Sequence, residues 1–180
     1  TKYNPEKTVD KAVSRSIAAS VQHNSLYVPG ISPEEKEAVR CAWRSFLLGI
    51  IGKYKKQQTV DEYERDILKL QDQMNIQFKH EFYQMPHSIY KTDPGFRISH
   101  AQKSISVFLK HLWCMDEVDT PPQCPVDRVV LEMAGLKYDK AKWGYVNSIE
   151  EHRRKIDLLI SAKNNDQESL AVWELENFKP

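Results

Sequence analysis

The amino-acid sequence predicts an all-α protein with about seven helices, in one domain or in two small helical lobes with a groove between them. Apolar residues recur at spacings of three and four through most of the chain, which is the period of an amphipathic helix. Residues that commonly cap helices precede several of these runs. Glycine is rare, at 6 of 180 residues, which argues against a turn-dense all-β fold. No segment shows a convincing strand pattern.

The first two helices are predicted from their start signals. Asn4, followed by a proline, indicates an N-cap and a first helical position, and the apolar pattern after it fades near Asn24. Ser32 is followed by a proline and, three residues on, by Glu35, which is the capping-box pattern. We expect this second helix to end in the segment 52–56.

The third helix is expected to start with a second capping box, formed by Thr59 and Glu62, and to continue to His80 or Phe82. The segment after it, residues 84–96, contains two prolines and a glycine and is the longest candidate loop. If the chain has two lobes, this loop is where we expect the boundary between them.

The fourth helix is followed by a proline-rich loop, residues 120–125, and by a short fifth helix. Pro125 suits the first turn of the fifth helix, and Gly135 is a typical stop. Asp127 falls near the N-terminus of that helix, where the dipole favours a carboxylate. The fourth helix has an apolar stripe of Ile98, Ala101, Ile105, Phe108, Leu109 and Leu112, and an opposite side of His100, Lys103, Val107, Lys110, His111 and Cys114.

Two further helices are predicted in the C-terminal part of the chain. Asn147 or Ser148 is the expected N-cap of the sixth helix, and His152 in that helix is expected to face mainly outward. The last helix is expected to start near Asp166 and to end before Phe178.

Composition and charge indicate an ordinary globular protein without a strong overall electrostatic field. The net charge is +1, so a contact with nucleic acid would need a local basic surface. Three cysteines without a disulfide spacing favour a reducing cytoplasm. No run is long and apolar enough for a membrane span, and no signal-peptide core is expected at the N-terminus. The chain has no P-loop, dinucleotide turn or HExxH motif, so we expect no cofactor.

Two groups of residues suggest chemistry. Lys103 and Asp127 lie on either side of the proline-rich loop, and a lysine beside a carboxylate can act as a nucleophile once it loses its proton. The simpler alternative is that Lys103 is solvated and Asp127 is only a helix cap. His111, Cys114 and Cys124 could supply three zinc ligands, but the spacing matches no zinc-finger pattern and no fourth ligand is evident. We therefore predict no metal site.

The order of these features resembles a known superfamily. A helix with a lysine, an apolar run, a proline-rich loop and Pro-Val-Asp before an apolar helix resembles the helix-hairpin-helix DNA glycosylases, nearest the archaeal 8-oxoguanine DNA glycosylase branch. The matching segments are HAQKSISVFLKHLW, which contains Lys103, and CPVDRVV, which contains Asp127. The same block resembles a group of bacterial or phage proteins of that fold, and a shared fold does not fix a function.

The resemblance implies a base-excision enzyme, a DNA glycosylase or AP lyase. Lys103 would attack the sugar C1′ of a flipped nucleotide, and Asp127 would help to deprotonate Lys103 and would stabilise the transition state. The other DNA contacts that follow from this interpretation are His100, Lys110 and Arg128 at phosphates, and Trp113 and Trp143 around the base.

One departure from the superfamily favours other functions. The usual hairpin is glycine-rich, of the type L-P-G-x-G-x-K, whereas DPGFRISHAQK contains one glycine, well before Lys103. This departure and the low net charge favour an alternative in which a helical module of the same fold binds nucleic acid or a protein without catalysis. A third hypothesis is an unrelated structural helical domain in which Lys103 and Asp127 are merely solvated.

Overall fold

The all-α class is confirmed by a computed structural model, which describes residues 8–83, 95–137, 141–163 and 168–178. Within these ranges there are seven helices and no strand, and an isolated antiparallel bridge joins Tyr27 to Phe82. No helix in these ranges is long and apolar enough to cross a membrane. The helices are α1 Val9–Val21, α2 Pro33–Tyr54, α3 Val60–Gln77, α4 Ile98–Cys114, α5 Arg128–Met133, α6 Ile149–Ala162 and α7 Leu170–Asn177.

The starts of α2 and α3 follow from their cap residues. Ser32 and Glu35 form the predicted capping box, since the Glu35 amide donates to Ser32 Oγ at 3.1 Å and the Ser32 amide donates to Glu35 Oε2 at 2.8 Å. Thr59 Oγ1 accepts from the Glu62 amide at 3.2 Å. The Glu62 carboxylate pairs with Lys53 at 3.0 Å, so this side chain contributes to an ion pair between α2 and α3.

The starts of α1 and α7 lie later than predicted. The N-cap of α1 is Thr8 and not Asn4, because Thr8 Oγ1 accepts a hydrogen bond from the Lys11 amide at 3.3 Å. The N-cap of α7 is Ser169, whereas we expected a start near Asp166. Asn4 and Asp166 lie outside the described residues.

Two predictions for α3 and α6 are wrong, and one is confirmed. α3 ends at Gln77, before His80, because Phe78 leaves the helical geometry with φ −126° and ψ 39°. Ser148 is confirmed as the N-cap of α6. His152 does not face outward: its ring is buried, and its Nε2 contacts Gln123 Oε1 at 2.7 Å, because α6 packs against the loop before α5.

α4 is the central helix, and every residue from Ile98 to Leu112 is buried. Its predicted apolar stripe belongs to a first hydrophobic cluster, formed mainly with α1, α2 and α3. Residues from α5, α6, α7 and the loops before α5 and α6 form a second cluster. The polar side chains Gln102, Lys103 and Lys110 contact segments that contribute to this second cluster, so the two clusters meet along α4. Most of the predicted lobe boundary, 84–96, lies outside the described residues.

Candidate functional site

Lys103 and Asp127 form a direct ion pair at the side of α4 that faces α5. Their side chains are 10% and 17% exposed, so both are largely withdrawn from water while a small part of each stays accessible. The centre of the Trp143 ring lies 5.8 Å from Lys103 Nζ, which is within the range of a cation–π contact. The fold thus brings together three of the residues that the sequence had indicated.

The cap of α5 sets the orientation of the Asp127 carboxylate. Asp127 is the N-cap residue, with extended backbone, and Pro125, which we expected in the first turn, precedes the helix. Asp127 Oδ1 accepts a hydrogen bond from the Val130 amide at 2.9 Å, and Oδ2 contacts the Lys103 ammonium. Because each oxygen has its own donor, the rotation of this carboxylate is restricted.

A second ion pair lies about two turns further along α4. Lys110 Nζ donates to Glu174 Oε1 at 2.8 Å, and the side chains are only 7% and 2% exposed. Burial raises the pKa of Glu174, and the negative charge of Asp127 acts in the same direction. The positive charges of Lys110 and Lys103 act in the opposite direction and lower this pKa. The two ion pairs therefore join α4 to the N-cap of α5 and to α7.

His100, a predicted phosphate contact, is fully buried near the start of α4. Its Nδ1 accepts a hydrogen bond from the Arg97 amide at 3.1 Å, and its Nε2 contacts the Asn24 carbonyl at 3.0 Å. Burial lowers the pKa of His100 to about 3, and the neighbouring Arg97 acts in the same direction. The ring is therefore neutral at physiological pH and holds interior backbone groups, so its position gives no support to a phosphate contact.

The other two predicted phosphate contacts differ from each other. Lys110 is buried in its ion pair with Glu174, and its Nζ also lies 4.4 Å from the centre of the Phe178 ring. Arg128 is exposed at the start of α5, where its Nε donates to Glu132 Oε1 at 2.7 Å. Of the three predicted phosphate contacts, Arg128 is thus the one whose side chain reaches solvent.

The segment that stands in place of the glycine-rich hairpin uses its backbone amides within the protein. The pairs are Gly95 N with Tyr83 O at 2.9 Å, Phe96 N with Asn75 Oδ1 at 2.9 Å, Arg97 N with His100 Nδ1 at 3.1 Å, and Ser99 N with Val146 O at 3.0 Å. These four amides are consequently not presented to a phosphate.

The two tryptophans predicted around a base do not share a site. Trp113 lies near the C-terminal end of α4, about 15 Å along the helix axis from Lys103. It lines a separate surface depression with Lys55 and Asp116. Trp143 is therefore the predicted base contact that lies beside Lys103.

The cysteines and histidines do not form a metal site in the part of the chain that the structure describes. Burial raises the pKa of Cys114 and of Cys124, and both thiols are free. The higher pKa disfavours the thiolate, which is the form that binds zinc or attacks a substrate.

Sequence reasoning missed Gln102 and Glu174. Gln102 precedes Lys103 and is buried against the backbone of Val126, a contact for which the sequence has no signal. Glu174 did have a signal, because a carboxylate between Trp173 and an apolar residue in a docking helix needs a basic partner when it is buried. The identity of that partner depends on the fold.

Comparison of the chain with protein-family models, with curated proteins and with solved structures found no match.

Proposed function

We propose that the protein is a DNA glycosylase-like enzyme in which Lys103 is the nucleophile and Asp127 assists it. The main support is the direct ion pair, because it places a proton acceptor on the amine that must lose a proton. The orientation of Asp127 by the Val130 amide and the residual exposure of Lys103 also favour the proposal. DNA is the partner that this function requires, and the free cysteines are compatible with a reducing cytoplasm.

The proposed reaction starts when Asp127 accepts a proton from the Lys103 ammonium, and the neutral amine attacks C1′ of a flipped deoxynucleotide. The bond between C1′ and the base breaks, and the base leaves with the electron pair of that bond and takes up a proton. The lysine nitrogen, now bonded to C1′, loses a second proton. Its lone pair forms the double bond to C1′ as the bond between C1′ and O4′ opens, so O4′ leaves with the electron pair and takes up a proton. C1′ and the lysine nitrogen then form a protonated imine. Trp143 offers an aromatic face beside Lys103 on which the flipped base would stack.

Borohydride trapping tests this proposal, because borohydride reduces the imine to a stable secondary amine. The protein is incubated with duplex oligonucleotides that contain 8-oxoguanine, uracil or an abasic site, and adducts are separated on a denaturing gel. We expect an adduct with the wild type and none with Lys103→Gln. Lys110→Gln is the matched control, because Lys110 is another buried lysine of α4 with a carboxylate partner and should leave the adduct in place.

The absence of an adduct on every substrate, with a protein that is folded by circular dichroism, would refute the nucleophile role of Lys103. An adduct that persists in Lys103→Gln but disappears in Lys110→Gln would show that the nucleophile is Lys110 and not Lys103.

A second candidate function is a non-enzymatic module that binds nucleic acid or a protein. Two observations favour it: the amides before α4 are used internally, and Lys103 and Lys110 both have carboxylate partners that tie α4 to the second cluster. This candidate predicts that Lys103→Gln and Lys110→Gln both lower the stability without a specific effect on chemistry. Fluorescence anisotropy of labelled duplex would then detect binding without trapping, and Arg128→Ala would weaken it.

A further inference from the structure

The Gln102 side chain is bonded twice to the backbone of Val126. Gln102 Nε2 donates to the Val126 carbonyl at 2.7 Å, and the Val126 amide donates to Gln102 Oε1 at 3.2 Å. Both residues are 2% exposed. Because the two hydrogen bonds run in opposite directions between the same two groups, they restrict both the separation and the rotation of Val126 relative to α4.

We propose that Gln102 is a positioning residue that sets Asp127 against Lys103, an inference that rests on the proposed function. Gln102 directly precedes Lys103, and Val126 directly precedes Asp127, so the amide contact and the ion pair are consecutive contacts between the same two segments. Two anchors then hold Asp127: the Gln102 contact on its N-terminal side and the Val130 amide on its C-terminal side.

Val126 depends on this side chain for its backbone hydrogen bonds. It lies between a proline, which has no amide hydrogen, and the N-cap of α5, so it belongs to no helix. A buried amide and carbonyl without partners are costly, and without Gln102 the segment would be expected to move until water or another group replaced the lost bonds. Such a movement would displace the Asp127 carboxylate from the amine of Lys103.

Asn75 supplies a matched control, because it makes the same pair of contacts elsewhere. Asn75 Nδ2 donates to the Phe96 carbonyl at 2.7 Å, and the Phe96 amide donates to Asn75 Oδ1 at 2.9 Å. This contact anchors the segment before α4 and does not involve the Pro-Val-Asp segment. Asn75 Nδ2 also donates to the Gln71 carbonyl at 3.1 Å, so Asn75→Leu removes the same pair of contacts and one more. Gln102→Met removes its pair next to the proposed nucleophile, whereas Asn75→Leu does not.

The kinetic test measures the single-turnover rate of imine trapping on an abasic duplex with saturating protein, and Kd by anisotropy. Gln102→Met should lower the trapping rate about 10- to 100-fold, because small displacements of reacting groups have effects of this size, with little change in Kd. Asn75→Leu should leave the trapping rate close to that of the wild type. Equal losses of rate in the two variants would overturn the positioning role.

A second readout does not depend on activity. Protein labelled with ¹³C-lysine shows the ε-carbon of Lys103 by NMR, and Lys103→Gln identifies that signal by its loss. We expect the signal to move in Gln102→Met and to stay in Asn75→Leu. An unchanged Lys103 signal in Gln102→Met would overturn the inference. If Gln102→Met does not fold, Gln102→Asn, which is too short for the contact but keeps a buried amide, is measured in the same way.

The two readouts separate the inference from the proposed function. A wild type without any adduct, combined with a Lys103 signal that moves only in Gln102→Met, would refute the glycosylase-like chemistry while supporting the role of Gln102 in placing Asp127. An adduct in the wild type, combined with a trapping rate that does not change in Gln102→Met, would support the chemistry and refute the positioning role.

Discussion

Lowering the pH from about 7 to about 5 should destabilise the fold through two buried histidines. Burial lowers the pKa of His100 to about 3 and of His152 to about 4, whereas an unfolded histidine has a value of about 6.5. Below the unfolded value the unfolded chain therefore binds more protons than the folded chain does. The free energy of unfolding must fall as the pH falls through this window, and the loss continues down to the folded pKa values.

The magnitude follows from the two pKa differences. At about pH 5 each unfolded imidazole is almost fully protonated while each folded ring is neutral, which removes about 2 kcal/mol per histidine and about 4 kcal/mol together. Glu174 acts in the opposite direction, because burial raises its pKa and the folded state then binds this proton more tightly than the unfolded state does. The loss from the two histidines is a large part of the about 5–15 kcal/mol that stabilises a typical domain.

Urea unfolding at several pH values, followed by tryptophan fluorescence and far-UV circular dichroism, measures this loss. In His152→Gln, whose amide can donate to Gln123 Oε1 as the imidazole does, the loss between the two pH values should shrink by about 2 kcal/mol. His80→Asn is the control, since His80 is exposed and should give the wild-type profile. A wild-type loss below about 1 kcal/mol, or a His152→Gln profile identical to the wild type, would refute the reasoning.

Two predictions concern the stability of the central helix, and both are checked by urea unfolding at constant pH. Lys110→Met should cost about 3–5 kcal/mol because it leaves Glu174 buried without a counter-charge, and the double variant with Glu174→Leu should recover most of this loss. Simple additivity of the two single losses would contradict the pairing. Ile105→Ala should cost about 2–5 kcal/mol because Ile105 is fully buried in the first cluster, whereas Ile76→Ala, at an exposed position of α3, should change the stability by less than about 0.5 kcal/mol.

Helix starts could be predicted from the sequence where the signal is local. Ser32 and Ser148 cap their helices through hydrogen bonds to amides three residues later, at 3.1 and 3.2 Å, and nothing outside the segment is needed to form them. For α1 we predicted a cap at Asn4, whereas Thr8 is the N-cap, because an Asn-Pro pattern does not by itself fix where a helix starts. The prediction that His152 faces outward was wrong for a different reason. Periodicity shows which positions of a helix are apolar, whereas the buried ring of His152 contacts Gln123, a residue of a distant loop.

The candidate site was predicted in part. Lys103 and Asp127 do form the pair that the sequence suggested. The connection of 13 residues between α4 and α5 would also allow them to lie far apart, so the pair depends on how the segment before α5 packs against α4. The polar side of α4 was harder, since a polar stripe on a helix usually faces water. Here several buried polar groups have a partner from another segment, as with Gln102 and Val126 or Lys110 and Glu174. Only the packing of the second cluster against α4 creates those partners.

The two lysine pairs of α4 differ in ways that bear on function. Lys110 is almost fully enclosed, and Glu174 Oε2 has no hydrogen-bond partner among the described residues, so nothing there orients the second carboxylate oxygen. At Asp127 both oxygens have donors, the amine is slightly more exposed, and an aromatic ring lies beside it. A nucleophile needs access to substrate and an oriented base, whereas an ion pair that only joins helices needs neither. We therefore propose Lys103 as the nucleophile, and Lys110 is better explained as a contact that holds α7 against the central helix.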